Sequence, residues 1–168
     1  MKKVFRAGAL SLFVAMASTT AFAASPAAFV DDASAKSIAE IENGKLAVEK
    51  SQSADVKTFA EMMIKDHTAA NEKLKDIAAT KKLEVSDDAE LMDKAKKMIL
   101  EYRDESFDKA YAENQVKAHE QTIKLFEDEA KNGDDPEVKA FAAETLPKLK
   151  THLEAARKLA TSHGGKAE

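Results

Sequence analysis

The sequence predicts an all-α protein: four long amphipathic helices paired as two hairpins, with a connection between the hairpins that carries a short extra helix. Three observations predict it. Downstream of residue 31 the chain is rich in Ala, Lys, Glu and Leu, with apolar residues recurring at spacings of three and four. It lacks the Val, Ile and Thr runs of strands. Two of the long segments also open on nearly the same residues. With 33% charged residues, 5 Gly, 3 Pro and no Cys in 168 residues, collagen, disulfide scaffolds and low-complexity tails are excluded.

Residues 1–23 stand apart from this pattern. Lys2, Lys3 and Arg6 precede an apolar run from Ala7 to Ala17, and Ala21-Phe22-Ala23 supplies the small-x-small pattern of a signal-peptidase site. Ser18, Thr19 and Thr20 break the run short of the ~20 apolar residues that a membrane span needs. Cleavage after Ala23 is expected, followed by a leader over 24–31, a bundle over 32–162 and a flexible tail over 163–168. Cleavage lowers the basic count from 26 to 23 against 30 acids, so the mature chain carries about −7. That charge gives no electrostatic reason for a nucleic-acid partner. No later segment is apolar for long enough to form a transmembrane helix, and none alternates as a membrane barrel strand would. The expected place is the periplasm, with peripheral attachment to the outer membrane as an alternative. A homo-oligomer is compatible with the sequence, and no protein partner is specified by it.

The first helix is expected over Asp32 to Gln52. Ser53 caps the second, whose inward stripe is Val56, Phe59, Ala60, Met63, His67, Ala70, Leu74 and Ile77. A 16-residue helix over Asp87 to Tyr102 would span about 24 Å, enough for a crossover between hairpins, and a bundle with one long crossover is the ferritin-like arrangement. The third long helix starts near Asp104, carries Phe107, Tyr111, Val116, His119, Ile123 and Phe126, and stops at Asn132-Gly133. In the fourth, Asp135 is the cap and Pro136 occupies the first helical position, where a missing N–H costs nothing.

The second and fourth helices begin Ser53-Ala54-Asp55-Val56-Lys57-Thr58-Phe59-Ala60 and Asp135-Pro136-Glu137-Val138-Lys139-Ala140-Phe141-Ala142. Each later carries a His followed seven residues on by Leu: His67 with Leu74, and His152 with Leu159. The match suggests two related hairpins.

Of the four histidines, His163 lies in a Gly-containing tail and is expected to be solvated and idle. The other three fall on apolar stripes. Counted from their hairpin loops, His67, His119 and His152 lie about 21, 21 and 26 Å along helices roughly 40 Å long, so they can meet near mid-height. Glu40 on the first helix falls within about one turn of the same level, beside Gly44, whose place in a helix interior points to a close approach of a neighbour. Three imidazoles and one carboxylate are a first shell for Zn, Cu, Fe or Mn, a divalent ion being the expected class. A metal-free polar layer of His67, His119, Glu40 and Tyr111 would produce the same sequence. Met63, one turn before His67, also keeps a soft-metal or haem site open. A di-iron site is disfavoured, because the positions three before His67, His119 and His152 are Ile64, Val116 and Leu149 rather than Glu. No nucleophile elbow, phosphate loop, dinucleotide fingerprint or Cys nucleophile is present, so no catalytic residue is assigned.

Three stretches together resemble a known family. They are Met62-Met63-Ile64-Lys65-Asp66-His67-Thr68-Ala69-Ala70-Asn71, Phe107-Asp108 with Tyr111 and Gln115-Val116-Lys117-Ala118-His119, and Phe141-Ala142 with Leu146-Pro147-Lys148-Leu149 and His152-Leu153. Over residues 31–161 the chain resembles the bacterial secreted family known as domain of unknown function 4142. The resemblance implies an exported ferritin-like bundle with no established activity, often described as a predicted outer membrane protein, in which Glu40, His67, His119 and His152 fall at positions where the family pattern has Glu and His. The turn Asp104-Glu105-Ser106, often Gly-containing in relatives, departs from the pattern. The functions in view are an exported binding module for a metal ion or small ligand, serving stress tolerance or metal handling; a structural or partner-binding bundle; and a metal-dependent redox or hydrolytic enzyme.

Overall fold

A computed structural model describes residues 24–96 and 107–167. Among these residues the chain forms five helices and no strand: α1 (Pro26–Lys50), α2 (Ala54–Lys81), α3 (Asp88–Lys96), α4 (Phe107–Asn132) and α5 (Pro136–Ser162). The proposed cleavage segment, the expected end of the short helix at Tyr102 and the turn at Asp104 lie outside the described residues.

Within the bundle, α1 packs chiefly on α2 and α4 chiefly on α5, the two expected hairpins. Their loops lie at opposite ends. Next to the α1–α2 loop, Ser53 Oγ donates to Asp108 Oδ2 at the start of α4 (2.6 Å), and His163 at the end of α5 meets Asp55 at the start of α2 (3.0 Å). At the other end Phe29 of α1 packs edge-on against Phe126 near the end of α4, with ring centroids 5.1 Å apart. α2 therefore ends at the opposite end of the bundle from the start of α4. After α2, α3 lies against α1. No helix of the described residues is long and apolar enough to cross a membrane.

α1 begins at Pro26, six residues before the expected start at Asp32. Ser25 is its N-cap, its Oγ accepting from Ala28 N at 3.2 Å, and Pro26 sits at the first helical position. This is the same cap-and-proline chemistry as Asp135-Pro136, where Asp135 Oδ1 accepts from Glu137 N and Val138 N at 2.9 and 3.2 Å. The extra turns are held because Phe29, Val30 and Ala33 are buried against the far end of the bundle. Asp31 ties them to the crossover by accepting from Ser86 N (2.8 Å) and Ser86 Oγ (2.7 Å). Ser53 stands at the N-cap position of α2 but makes no capping bond; its hydroxyl donates to Asp108 instead.

At Gly44 the two helices of the first hairpin come close together. A Cβ there would stand 2.8 Å from Ile64 Cγ1 and 3.1 Å from the carbonyl oxygen of Ala60. Along the bundle axis the apolar core splits in two. One cluster contains Met63, Tyr111, Val116 and Ala156, and the other contains Ala33, Leu74, Ile123 and Leu149. Between them each long helix contributes buried polar residues: Ser37, Glu40 and Asn43 from α1, His67 from α2, Gln115 and His119 from α4, and His152 from α5.

Candidate metal centre

This polar layer places His67, His119 and His152 together. Each sits on the inward stripe of its helix, one turn or two from buried apolar neighbours, so the packing that buries Met63, Val116 and Ala156 also aims the imidazoles at one another. Their ring centroids form a nearly equilateral triangle with sides of 5.7, 5.7 and 5.5 Å. All three are buried, and each offers a ring nitrogen within 4.8 Å of the other two.

The outer nitrogens of two rings are fixed by hydrogen bonds. His119 Nδ1 lies 2.9 Å from the carbonyl oxygen of Gln115, which only accepts, so the proton is assigned to Nδ1. His152 Nε2 lies 3.0 Å from Asp66 Oδ2. Burial alone would raise the Asp66 carboxyl, but the bonds from His152 and Lys148 outweigh it and hold it below the ordinary range. Asp66 thus accepts as a carboxylate, and the His152 proton is assigned to Nε2. With one proton so placed on each ring, the other nitrogen is left as an acceptor.

Those remaining atoms, His119 Nε2 and His152 Nδ1, are buried without a hydrogen-bond partner, and so is His67 Nε2. The three rings cannot satisfy one another. Two of the three nitrogens are acceptors, and a proton on His67 Nε2 could serve only one of them. Leaving a buried acceptor unmet costs about 1–3 kcal/mol. Burial, reinforced by the neighbouring His119 and His152, holds His67 well below the ordinary imidazole range. Burial likewise lowers His152, although Asp66 acts against it. Three clustered imidazoles with buried, unpartnered ring nitrogens, two of the rings tethered from behind by a carbonyl or a carboxylate, are the donor chemistry of a transition-metal site. Nitrogens bound to an ion at 2.0–2.1 Å stand roughly 3.4 Å apart, so closing on one draws the rings in by about an ångström.

Glu40 reaches the layer's level but not the histidine set, which contains no carboxylate among the described residues. Its Oε2 accepts from Gln115 Nε2 at 2.7 Å, and burial raises its carboxyl despite the opposing influence of His119. Glu40 is therefore connected to His119 through Gln115, the residue whose carbonyl holds the His119 ring. On its other side Glu40 helps line a groove of about 450 Å3 between α1 and α4, with Asn43, Lys36 and Lys117. Tyr111 is not in the layer. It packs in the apolar cluster between Phe59 and Phe107, at centroid distances of 6.2 and 6.1 Å.

Sequence reasoning missed Asp66 as a site residue. Its position directly before His67 was the available signal: a residue one step round the helix from an inward histidine lies on the flank that faces the next helix, here α5. His163 is also not idle. It pairs with Asp55 at 3.0 Å and has Asp108 at 4.0 Å, while Gly165 N bonds to Ala160 O (2.7 Å) and Lys166 N to Glu113 Oε1 (2.9 Å), so residues 163–166 fold back on the bundle.

Comparison with curated proteins and with solved structures finds no match. The sequence pattern of one family, described as domain of unknown function (DUF4142), matches residues 12–159. That match covers the two hairpins, the crossover between them and all three histidines of the layer, and the chain belongs to the DUF4142 family.

Proposed function

We propose that this protein is an exported helical bundle that binds a transition-metal ion between His67, His119 and His152 and serves in metal handling. One observation carries the reading: three buried histidines that each offer a ring nitrogen within 4.8 Å of the other two, and that each hold a buried ring nitrogen with no hydrogen-bond partner. Export rests on the N-terminal pattern of Lys2, Lys3 and Arg6, an apolar run and Ala21-Phe22-Ala23. Glu40 and Gln115 act from behind the ligands, and a groove between α1 and α4 lies beside Glu40.

The test is metal analysis of the purified protein after supplementation with Zn, Cu, Fe and Mn, alongside His67→Ala and His119→Ala. One ion per chain, lost in both variants while helicity is kept, supports the reading. Failure to take up any ion would return the layer to a metal-free arrangement, with a water donating to two of the rings.

A further inference from the structure

We propose that the ion this layer selects is monovalent copper. The inference rests on the metal-binding reading and adds the charge and softness of the ion.

The first argument is charge. The donors are three imidazoles, which stay neutral when they bind, with no thiolate and no carboxylate among the ligating atoms. Behind them, Asp66 is offset by Lys148, which lies 3.1 Å from its other oxygen. Among the described residues Glu40 is the one remaining acid in contact with the layer, held by Gln115. Even with Glu40 fully ionised, the surroundings supply one negative charge. A monovalent ion is then neutralised, whereas a divalent ion leaves a net positive charge between two apolar clusters. The cost of burying charge in a medium of low polarity grows with its square, which favours the monovalent ion.

The second argument is coordination. The histidines come from three separate helices and form a nearly equilateral triangle, with no fourth protein ligand in the set. Zn prefers four ligands in a tetrahedron, so on three histidines it would need a water in the fourth position inside this buried layer, and Mg, Ca and Mn prefer oxygen. Copper(I), with a filled d shell, accepts a three-coordinate nitrogen set. Met63 lies one turn before His67 on the same stripe and is fully buried, which places a thioether, the soft donor that favours copper(I), on the adjoining turn.

The experiment is an anaerobic titration of the metal-free protein with copper(I) against a colorimetric copper(I) chelator, with separate titrations of Zn(II), Cu(II) and Mn(II). His119→Gln and His152→Gln are run in parallel and checked for helicity by circular dichroism. One copper(I) per chain is expected, bound at least about 100-fold more tightly than Zn(II). Binding should be lost in whichever variant remains folded, and the loaded wild-type protein should stay silent in electron paramagnetic resonance after exposure to air. Equal or tighter binding of Zn(II) or Cu(II), or a Cu(II) resonance from the loaded protein, overturns the copper(I) assignment while the metal-binding reading stands. Binding of none of these ions, with Fe(II) included in the anaerobic series, overturns both.

Discussion

Asp66 Oδ2 lies 3.0 Å from His152 Nε2, so a carboxylate that adjoins one histidine of the layer in sequence orients another across the α2–α5 boundary. The bond fixes which His152 nitrogen faces the other rings, and the Lys148 ammonium 3.1 Å from Asp66 Oδ1 keeps the carboxylate charged. Removing such a partner from a metal-binding histidine typically weakens binding about 10–100-fold. Asp66→Ala is expected to lower metal affinity by that factor with helicity unchanged. Asp66→Asn, which keeps an acceptor oxygen but loses the charge, should fall between it and wild type. Calorimetric titration of the three proteins checks the order.

The layer also makes stability depend on pH. In the unfolded chain His67 and His152 titrate near 6.5, whereas burial holds both lower in the fold. Below about pH 6.5 the unfolded chain takes up protons that the folded chain refuses. Their contribution to stability is therefore fully present above that value and is lost as pH falls toward the folded values, by up to about 1.4 kcal/mol per pH unit for each ring. Glu40 and Glu129, both raised by burial, act in the opposite sense, their contribution being lost as pH rises. The histidine effect is isolated by comparing metal-free wild type with His67→Gln in urea between pH 7 and 5. Wild type should lose stability relative to the variant over that range, and parallel profiles would contradict the assignment.

Gly44 has no room for a methyl group, since its Cβ would meet Ile64 Cγ1 at 2.8 Å and the Ala60 carbonyl at 3.1 Å. Alanine has the higher helix propensity, yet Gly44→Ala is expected to destabilise the protein by about 1–3 kcal/mol through overpacking. Combining it with Ile64→Ala removes the first clash but leaves the carbonyl, so urea denaturation should show partial recovery in the double variant relative to the sum of the single effects.

The first turns of α1 are structural. Phe29 is fully buried and packs on Phe126, so Phe29→Ala should cost about 3–5 kcal/mol, read from the urea midpoint. A chain beginning at Asp32 should lose at least as much. Were residues 26–31 a dispensable leader, neither change would register.

How far the sequence foretells this arrangement depends on the range of the interaction concerned. Inward stripes, the Asp135-Pro136 start and the common depth of His67, His119 and His152 follow from helical periodicity and rise, which are local properties. So does the level of Glu40. What periodicity does not supply is lateral placement within a level: Glu40 reaches the right height but is taken by Gln115, a residue 75 positions away. The early start of α1 escaped notice although Ser25-Pro26 carries the same signature as Asp135-Pro136, because the burial that holds those turns comes from Phe126, far along the chain. His163 escaped for a similar reason. Neighbouring glycines suggest a solvated tail, and only its distant partner Asp55 gives it a place.

The central claim is most directly tested by an anomalous-scattering map from crystals of the metal-loaded protein, collected at the absorption edge of the bound metal. A single peak within about 2.0–2.2 Å of His67 Nε2, His119 Nε2 and His152 Nδ1 is the predicted result. A peak elsewhere on the chain, or water density bridging the three rings in loaded crystals, would contradict it.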